Sequence, residues 1–307
     1  MLLSIIAKKI LFCLLLLWAG MLRAEVINHV WILFPGGTLE SQCRALWTEY
    51  DQRHATKTVY VIKPGADGIV AAQDMLASKA SRKFICGGAT LVTTNAILYP
   101  ESNYVDQLQT LIQTNGTSLI WYVPITNRAK NLTELVNHFR ALGRPVNIGV
   151  YNATQRAISI YLSRKYDFAI NLVPYKSGPQ IYPDLAGADI DMAFDGGAGV
   201  VLAQTESRFR VAGYLAAQDA EGLRAYTNFG KNNQDLAPFM QWIGIMIPAD
   251  TSMEYKKLVA QQLQSILALR SFHDIARQNF FTVTGITQPE ITNLVTQQRK
   301  AFALYLR

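Results

Sequence analysis

Four aspartates, Asp184, Asp189, Asp191 and Asp195, fall close together, and carboxylates at that density can serve as general acid and base. Around a helix end the same cluster more often solvates and caps the backbone. The four histidines, His29, His54, His138 and His273, are isolated from one another and read as surface or core residues. No GxSxG elbow, HExxH pair, P-loop or GxGxxG fingerprint accompanies them. Cys43 and Cys86 have neither CxxC nor zinc-ligand spacing, so no metal or cofactor is expected. A different chemistry is open to Gly36-Gly37-Thr38, where an apolar strand gives way to a helix. The first backbone N–H groups of a helix have no partner within it, and glycine lets a ligand come close to them. A tight turn that binds nothing has the same wording, so this motif alone leaves the two readings even.

The elements that would position these groups form two similar runs. Val26 to Phe34 is an apolar strand, followed by a helix from about Glu40 to His54 and a strand from Thr58 to Ile62. Lys63 to Gly68 breaks the chain. A helix then covers Ile69 to Ser78, and a strand from Lys83 to Cys86 runs into Gly87-Gly88. That spacing gives a β-α-β-α-β unit. The second run opens with a helix capped by Asn131, with Glu134 three residues on and Gly143 and Pro145 closing it. Strand Val146 to Gly149, helix Thr154 to Tyr166, strand Ala169 to Val173, helix Gln180 to Ala186 and strand Ile190 to Phe194 complete it. Strands near Leu119 to Val123 and Met240 to Ile247 would join two lobes and leave a cleft between them, a favoured place for small ligands. The C-terminal part reads as helical, with Thr251 and Glu254 as a capping box and Thr287-Gln288-Pro289-Glu290 opening a last helix.

A chain of 307 residues, half of them hydrophobic, can bury the cores of two domains. Lys8 and Lys9 before the apolar run Ile10 to Ala19, with Leu22-Arg23-Ala24 after it, have the layout of a cleaved export signal over residues 1–24. An uncleaved anchor is the other reading, although the run is short for a membrane span. Cys13 follows bulky Phe12 and lacks the small residues of a lipoprotein site. Loss of Lys8, Lys9 and Arg23 lowers the formal charge from +7 by three, to +4. That surplus suits an anionic ligand weakly and shows no basic stripe for nucleic acid. In an oxidising compartment Cys43 and Cys86 could be bridged, and two buried free thiols are the alternative.

The run Val173-Pro174-Tyr175-Lys176-Ser177-Gly178, continuing through Asp184-Leu185 and Asp191-Met192-Ala193-Phe194-Asp195 to Gly197, resembles the "VPYKG…DLxxGxxDxxFD" stretch of one family. These are the Bug-type periplasmic substrate-binding receptors of tripartite tricarboxylate transporters. Phe34-Pro35-Gly36-Gly37-Thr38 through Arg44 is similar to their first loop, "FPPGGxxDxxAR", with Glu40 where the family favours Asp. Lys63-Pro64-Gly65-Ala66-Asp67-Gly68 resembles "KPGAGG", with Asp67 in place of a glycine. Ala89-Thr90 to Asn95 fits the loop after the third strand, and Trp242, Gly244 and Pro248-Ala249 resemble "WxGLxAPAGTP". The weakest match is Gly149 to Gln155, where the family has a loop rich in glycine and serine and a His on the next helix.

The resemblance implies a two-lobed α/β fold of the periplasmic-binding-protein type, type II-like. Each lobe would be a mostly parallel sheet flanked by helices, with residues 25–120 and 246–307 in lobe 1 and 121–245 in lobe 2. It implies a monomeric, non-enzymatic receptor that closes on a small carboxylate and presents it to the membrane subunits of a secondary transporter. A sensor protein as recipient, or an enzyme with acidic residues at the cleft, are the alternatives. Gly36, Gly37 and Thr38 would offer backbone donors to the carboxylate. Thr90 and Asn95 would add side-chain donors from the first lobe, and Tyr151, Asn152, Thr154 and Gln155 from the second. Tyr151 could also stack on a flat ligand or pack in the hinge, and Asp195 could accept from a ligand ammonium or hydroxyl, cap the next helix, or fix Gly196 and Gly197.

Overall fold

The computed structural model describes residues 25–305, apart from 217–218, 232 and 279; the expected leader, residues 1–24, lies outside the described residues. β1 (Val26–Ile32) keeps its bulky apolar residues at its buried end and lies between β2 (Thr56–Ile62) and β3 (Lys83–Gly88), parallel to both. Helices α1 (Thr38–His54) and α2 (Ile69–Ala77) make the two crossovers. Asp51, near the end of α1, accepts from the Thr58 N–H and from the Thr56 and Thr58 hydroxyls. Thr56 in turn accepts from the buried Asn28 amide, which fastens β1 to β2. After β3 the chain turns through Ala89–Leu91 into the short helix α3 (Asn95–Leu98).

The first sheet continues on its other side with three antiparallel strands. These are β10 (Gln241–Pro248), β4 (Leu108–Thr117) and β11 (Phe281–Ile286), in the order β11-β4-β10-β3-β1-β2. The second sheet has the order β7-β6-β8-β5-β9. β6 (Val146–Val150) is parallel to β7 (Ile170–Pro174) and β8 (Met192–Asp195). β5 (Leu119–Pro124) runs antiparallel to β8 and to β9 (Phe209–Leu215). Both sheets are therefore mixed. The βαβ strands are parallel as expected, whereas β10 in the first sheet and β5 in the second run against them.

Helices cover both faces of each sheet. Trp47 and Tyr50 of α1 pack with Phe84 and with Leu263 of α8 (Met253–Leu267) on one face of the first sheet. Trp31, Met75, Ile85 and Trp242 fill the other. In the second lobe Leu135 and Phe139 of α4 (Leu132–Ala141) and Ile158 and Leu162 of α5 (Ala153–Tyr166) close around Trp121. Leu185 of α6 (Tyr182–Gly187) and Val200 of α7 (Ala198–Glu206) pack on the opposite face with Tyr122.

Three segments pass between the lobes. Ser118 alone separates β4 from β5, and the chain returns through a 3-10 turn, Gln234–Phe239, into β10. The third is α10 (Glu290–Tyr305), whose Ile291 lies in the first lobe's core and whose Phe302 lies in the second's. The expected lobe limits, 120/121 and 245/246, fall inside β5 and β10, because ladder pairing sets those strand ends and the apolar pattern shows no break there. The C-terminal part is not wholly helical either. β11, rich in β-branched residues, pairs with β4 between α9 (Arg270–Gln278) and α10.

Cys43 of α1 and Cys86 of β3 form a disulfide, with Cα atoms 6.1 Å apart and a sequence separation of 43. Closing a loop of that length in the unfolded chain is worth about 2–4 kcal/mol. The Cys43→Ala/Cys86→Ala protein is expected to lose about that much unfolding free energy in urea titration. An unchanged midpoint would mean that the cross-link contributes nothing to the fold.

Candidate functional site

Residues that follow β1, β3, β6 and β7, together with the end of β8, line a narrow cleft of about 80 Å³ between the lobes. Thr117, Ser118, Gln241 and Trp242 of the crossing strands complete it. Ligands of open α/β sheets sit outside the carboxyl ends of their strands, and both lobes turn those ends to this cleft. The space is enough for about five to eight waters, the scale of a small organic acid. No lysine or arginine lines it among the described residues.

The second lobe's wall is the first turn of α5. Asn152 caps the helix by accepting from the Gln155 N–H at 2.9 Å, and Gln155 accepts from the Tyr151 N–H at 2.8 Å. The Gln155 amide also donates to the Phe194 carbonyl at 3.0 Å. This reciprocal cap satisfies the turn without the glycines the family uses, and it commits the Asn152 oxygen and the Gln155 amide to the protein itself. Both residues line the cleft; the Gln155 amide is spent on backbone at both ends, whereas the Asn152 amide nitrogen bonds no described residue.

Tyr151 is fixed at both ends of its ring. Its hydroxyl donates to Asp195 at 2.8 Å, and its ring meets that of Phe34 in a T-shaped contact across the cleft, with centroids 5.4 Å apart. The other Asp195 oxygen accepts from the Tyr182 hydroxyl, and the Gly196 N–H adds a third donor. Both oxygens of Asp195 are therefore engaged by the protein itself. Asp195 anchors tyrosines. Gly178 runs so close over this carboxylate that a Cβ there would overlap it. Burial pushes the Asp195 carboxyl above its ordinary 3.8, against the pull of its three donors. Burial, reinforced by the Asp195 charge, pushes the Tyr151 and Tyr182 phenols well up, so both remain donors.

In the first lobe, Gly36 takes a left-handed φ of 73° and its N–H donates to Glu40 at 2.7 Å. Burial works against the Glu40 charge, yet that N–H and the Arg44 guanidinium hold its carboxyl below the usual range. The Gly36 donor is thus taken by the chain's own carboxylate. Gly37 lines the cleft, with open space where a Cβ would stand, and Thr38 begins α1. Thr90 also lines the cleft, and its hydroxyl meets that of Thr154 at 2.8 Å. Thr154 bonds Thr94 as well, at 2.8 Å, and lies behind the cleft lining. Asn95 is buried away from the cleft, donating to the Asp67 carbonyl and the Tyr104 hydroxyl, both at 3.0 Å.

Sequence reasoning missed Ser118 and Ser177, almost buried residues whose hydroxyls bond no described residue and which line the cleft. Ser177 lies inside the run that carries the family wording, whereas Ser118 gains its place only from the β4–β5 crossing. The remaining aspartates are spent elsewhere. Asp184 accepts from Tyr175, and Asp191 takes both forks of Arg144 at 2.7 and 2.8 Å. Asp184, Asp189 and Asp191 do not line the cleft, so no acid–base pair is assembled there. No cluster of His, Cys, Asp and Glu among the described residues could hold a metal ion.

A raised carboxyl pKa means that folded Asp195 keeps a proton the unfolded chain has already lost. Its contribution to stability is largest below the ordinary value of 3.8 and declines as pH rises through the raised one. Unfolding midpoints of the wild type and Asp195→Asn, measured from about pH 3.5 to about pH 8, should diverge across that window in this sense and then run parallel. A constant difference throughout would show that burial does not shift this group.

A family model described as "Tripartite tricarboxylate transporter family receptor" matches residues 44–302. No curated protein sequence matches the chain at a significant level. Among solved structures the fold is similar to the periplasmic binding protein BugD, with a TM-score of 0.80 at 16% identity over 92% of this chain and 96% of that one. It is similar to Rpa4515 of R. palustris, solved with adipate, with a TM-score of 0.81 at 16% identity over 92% and 97%. It is also similar to MatC from Rhodopseudomonas palustris with bound malate, with a TM-score of 0.79 at 14% identity over 92% and 100%. At these identities the likeness shows the two-lobed fold, while the family model covers most of the sequence from α1 to α10. The chain belongs to the receptor family of the tripartite tricarboxylate transporters.

Proposed function

We propose that the protein is a periplasmic receptor that captures a small carboxylate-bearing solute by closing its lobes and delivers it to the membrane subunits of a tripartite transporter. One observation carries the ligand class. The cleft joins two strand–helix junctions, and it offers hydroxyls and helix N-terminal N–H groups without any cation. A carboxylate leaving water must regain hydrogen bonds, and uncharged donors converging from both lobes meet that need. Ser118, Ser177 and the first-turn N–H groups of α1 and α5 are the donors this reading assigns. Malate and adipate occupy the cited R. palustris proteins, which makes dicarboxylates the first ligands to try. The reading calls for no chemistry. No described helix is long and apolar enough to cross a membrane, so the transport step falls to partner subunits.

A thermal-shift panel of malate, adipate, citrate and aromatic acids, followed by calorimetry, tests the class. A true ligand at a hundred times its dissociation constant should stabilise the protein by about 2.7 kcal/mol. Recovery of that ligand chemically altered would point to an enzyme and overturn the receptor reading. Gly37 tests the site. Its Cβ position is open, so Gly37→Phe should fold normally, fill the cleft and abolish binding. Undiminished affinity in that variant would move the site elsewhere.

A further inference from the structure

Asp67 is the residue at which the loop Lys63 to Gly68 departs from the glycine of the family wording, and the departure has a structural partner. Its backbone is left-handed, with φ 55°, a conformation that L side chains rarely adopt. The Asn95 amide holds its carbonyl in place at 3.0 Å. From this position the carboxylate reaches out of the first lobe to Arg156, on α5 of the second. One guanidinium nitrogen donates at 3.2 Å, and the other makes a shorter bond to the second oxygen. Tyr99 closes the ring, accepting from Arg156 at 2.7 Å and donating to Asp67 at 2.9 Å. The Asp67 and Arg156 side chains are only 6% and 27% exposed. A planar fork on a carboxylate is the most directional ion pair available to a protein.

Arg156 directly follows Gln155, so this pair grips the same helical turn that forms the second lobe's wall. Neither residue lines the cleft. We propose that Asp67 and Arg156 are positioning residues for ligand capture: a clasp between the lobes that raises the closed population, and with it the affinity, without touching the ligand. This rests on the hinge-closure reading above. The clasp forms only when the lobes meet, because its acid and base belong to different lobes. Affinity scales with the fraction of molecules in the binding-competent form, so loss of the clasp weakens every ligand by the same factor.

Two single variants and their combination decide it, read by two methods. Asp67→Gly restores a residue suited to the left-handed backbone, so it should fold at least as well as wild type; Arg156→Met keeps the stem without the charge. In the protein without added ligand, hydrogen exchange at residues 90–95 and 151–156 should rise in both variants while melting temperatures hold. Exchange equal to wild type in both would overturn the clasp. In titrations with malate and with adipate, each single variant should lose about tenfold in affinity and the double variant no more than either. Loss for one acid alone would make these residues ligand contacts, and additive losses would show that they act separately; either overturns the proposal. If neither acid binds wild type, carboxylate capture fails for these two ligands, while the exchange measurement still decides the clasp.

Discussion

Thr154 is buried in the second lobe, and both of its hydroxyl partners, Thr90 and Thr94, are buried in the first. A hydroxyl removed from water must find a partner or cost free energy, and one Thr154 oxygen can donate to one neighbour while accepting from the other. These three groups satisfy one another only with the lobes at this separation. The rest of the interface follows from that contact, because Thr154 belongs to the first turn of α5. With that turn fixed, Tyr151 meets Phe34 on one side and Arg156 meets Asp67 on the other.

The cleft draws its character from what the protein has already consumed. Asp195, Gln155, Glu40 and the Asn152 oxygen all lie near it, and each is spent on the protein's own donors or acceptors. What remains open is small and uncharged. That leaves a ligand carboxylate facing hydroxyls and peptide N–H groups, with Asp195, the one acid that lines the cleft among the described residues, held under two phenols. The crossing segments are fastened with comparable care. Gln298 of α10 accepts from the Trp242 indole at 2.9 Å and donates to the Met240 carbonyl at 2.9 Å, so the third crossing element pins the start of β10.

Much of this was legible in the chain. The βαβ strands of both lobes have continuous apolar runs closed by Gly and Pro, and the cap at Asn131 with Glu134 appears as its wording predicts. β4 and β11 were not legible, because mixed polar and β-branched segments earn strand status only from their neighbours. The site divides along the same line. Gly36, Gly37, Thr90, Tyr151, Asn152, Gln155 and Asp195 were named from sequence, and the fold brings all but Gly36 into the cleft lining. Asn95 and Thr154 stand behind it, and Gln155, Asp195 and the Asn152 oxygen make bonds to the loop or the tyrosines that the sequence alone did not show.

By itself the sequence determined the family, the two α/β halves and the location of the strand–helix junctions that face the cleft. Those properties are local: a strand end, a helix start and a glycine each act within a few residues. Tertiary structure decided which polar groups stay open. A hydrogen-bonding side chain has a fixed capacity, and whether Asp195 finds Tyr182, or Asp67 finds Arg156, depends on residues distant in the chain that only folding brings within reach.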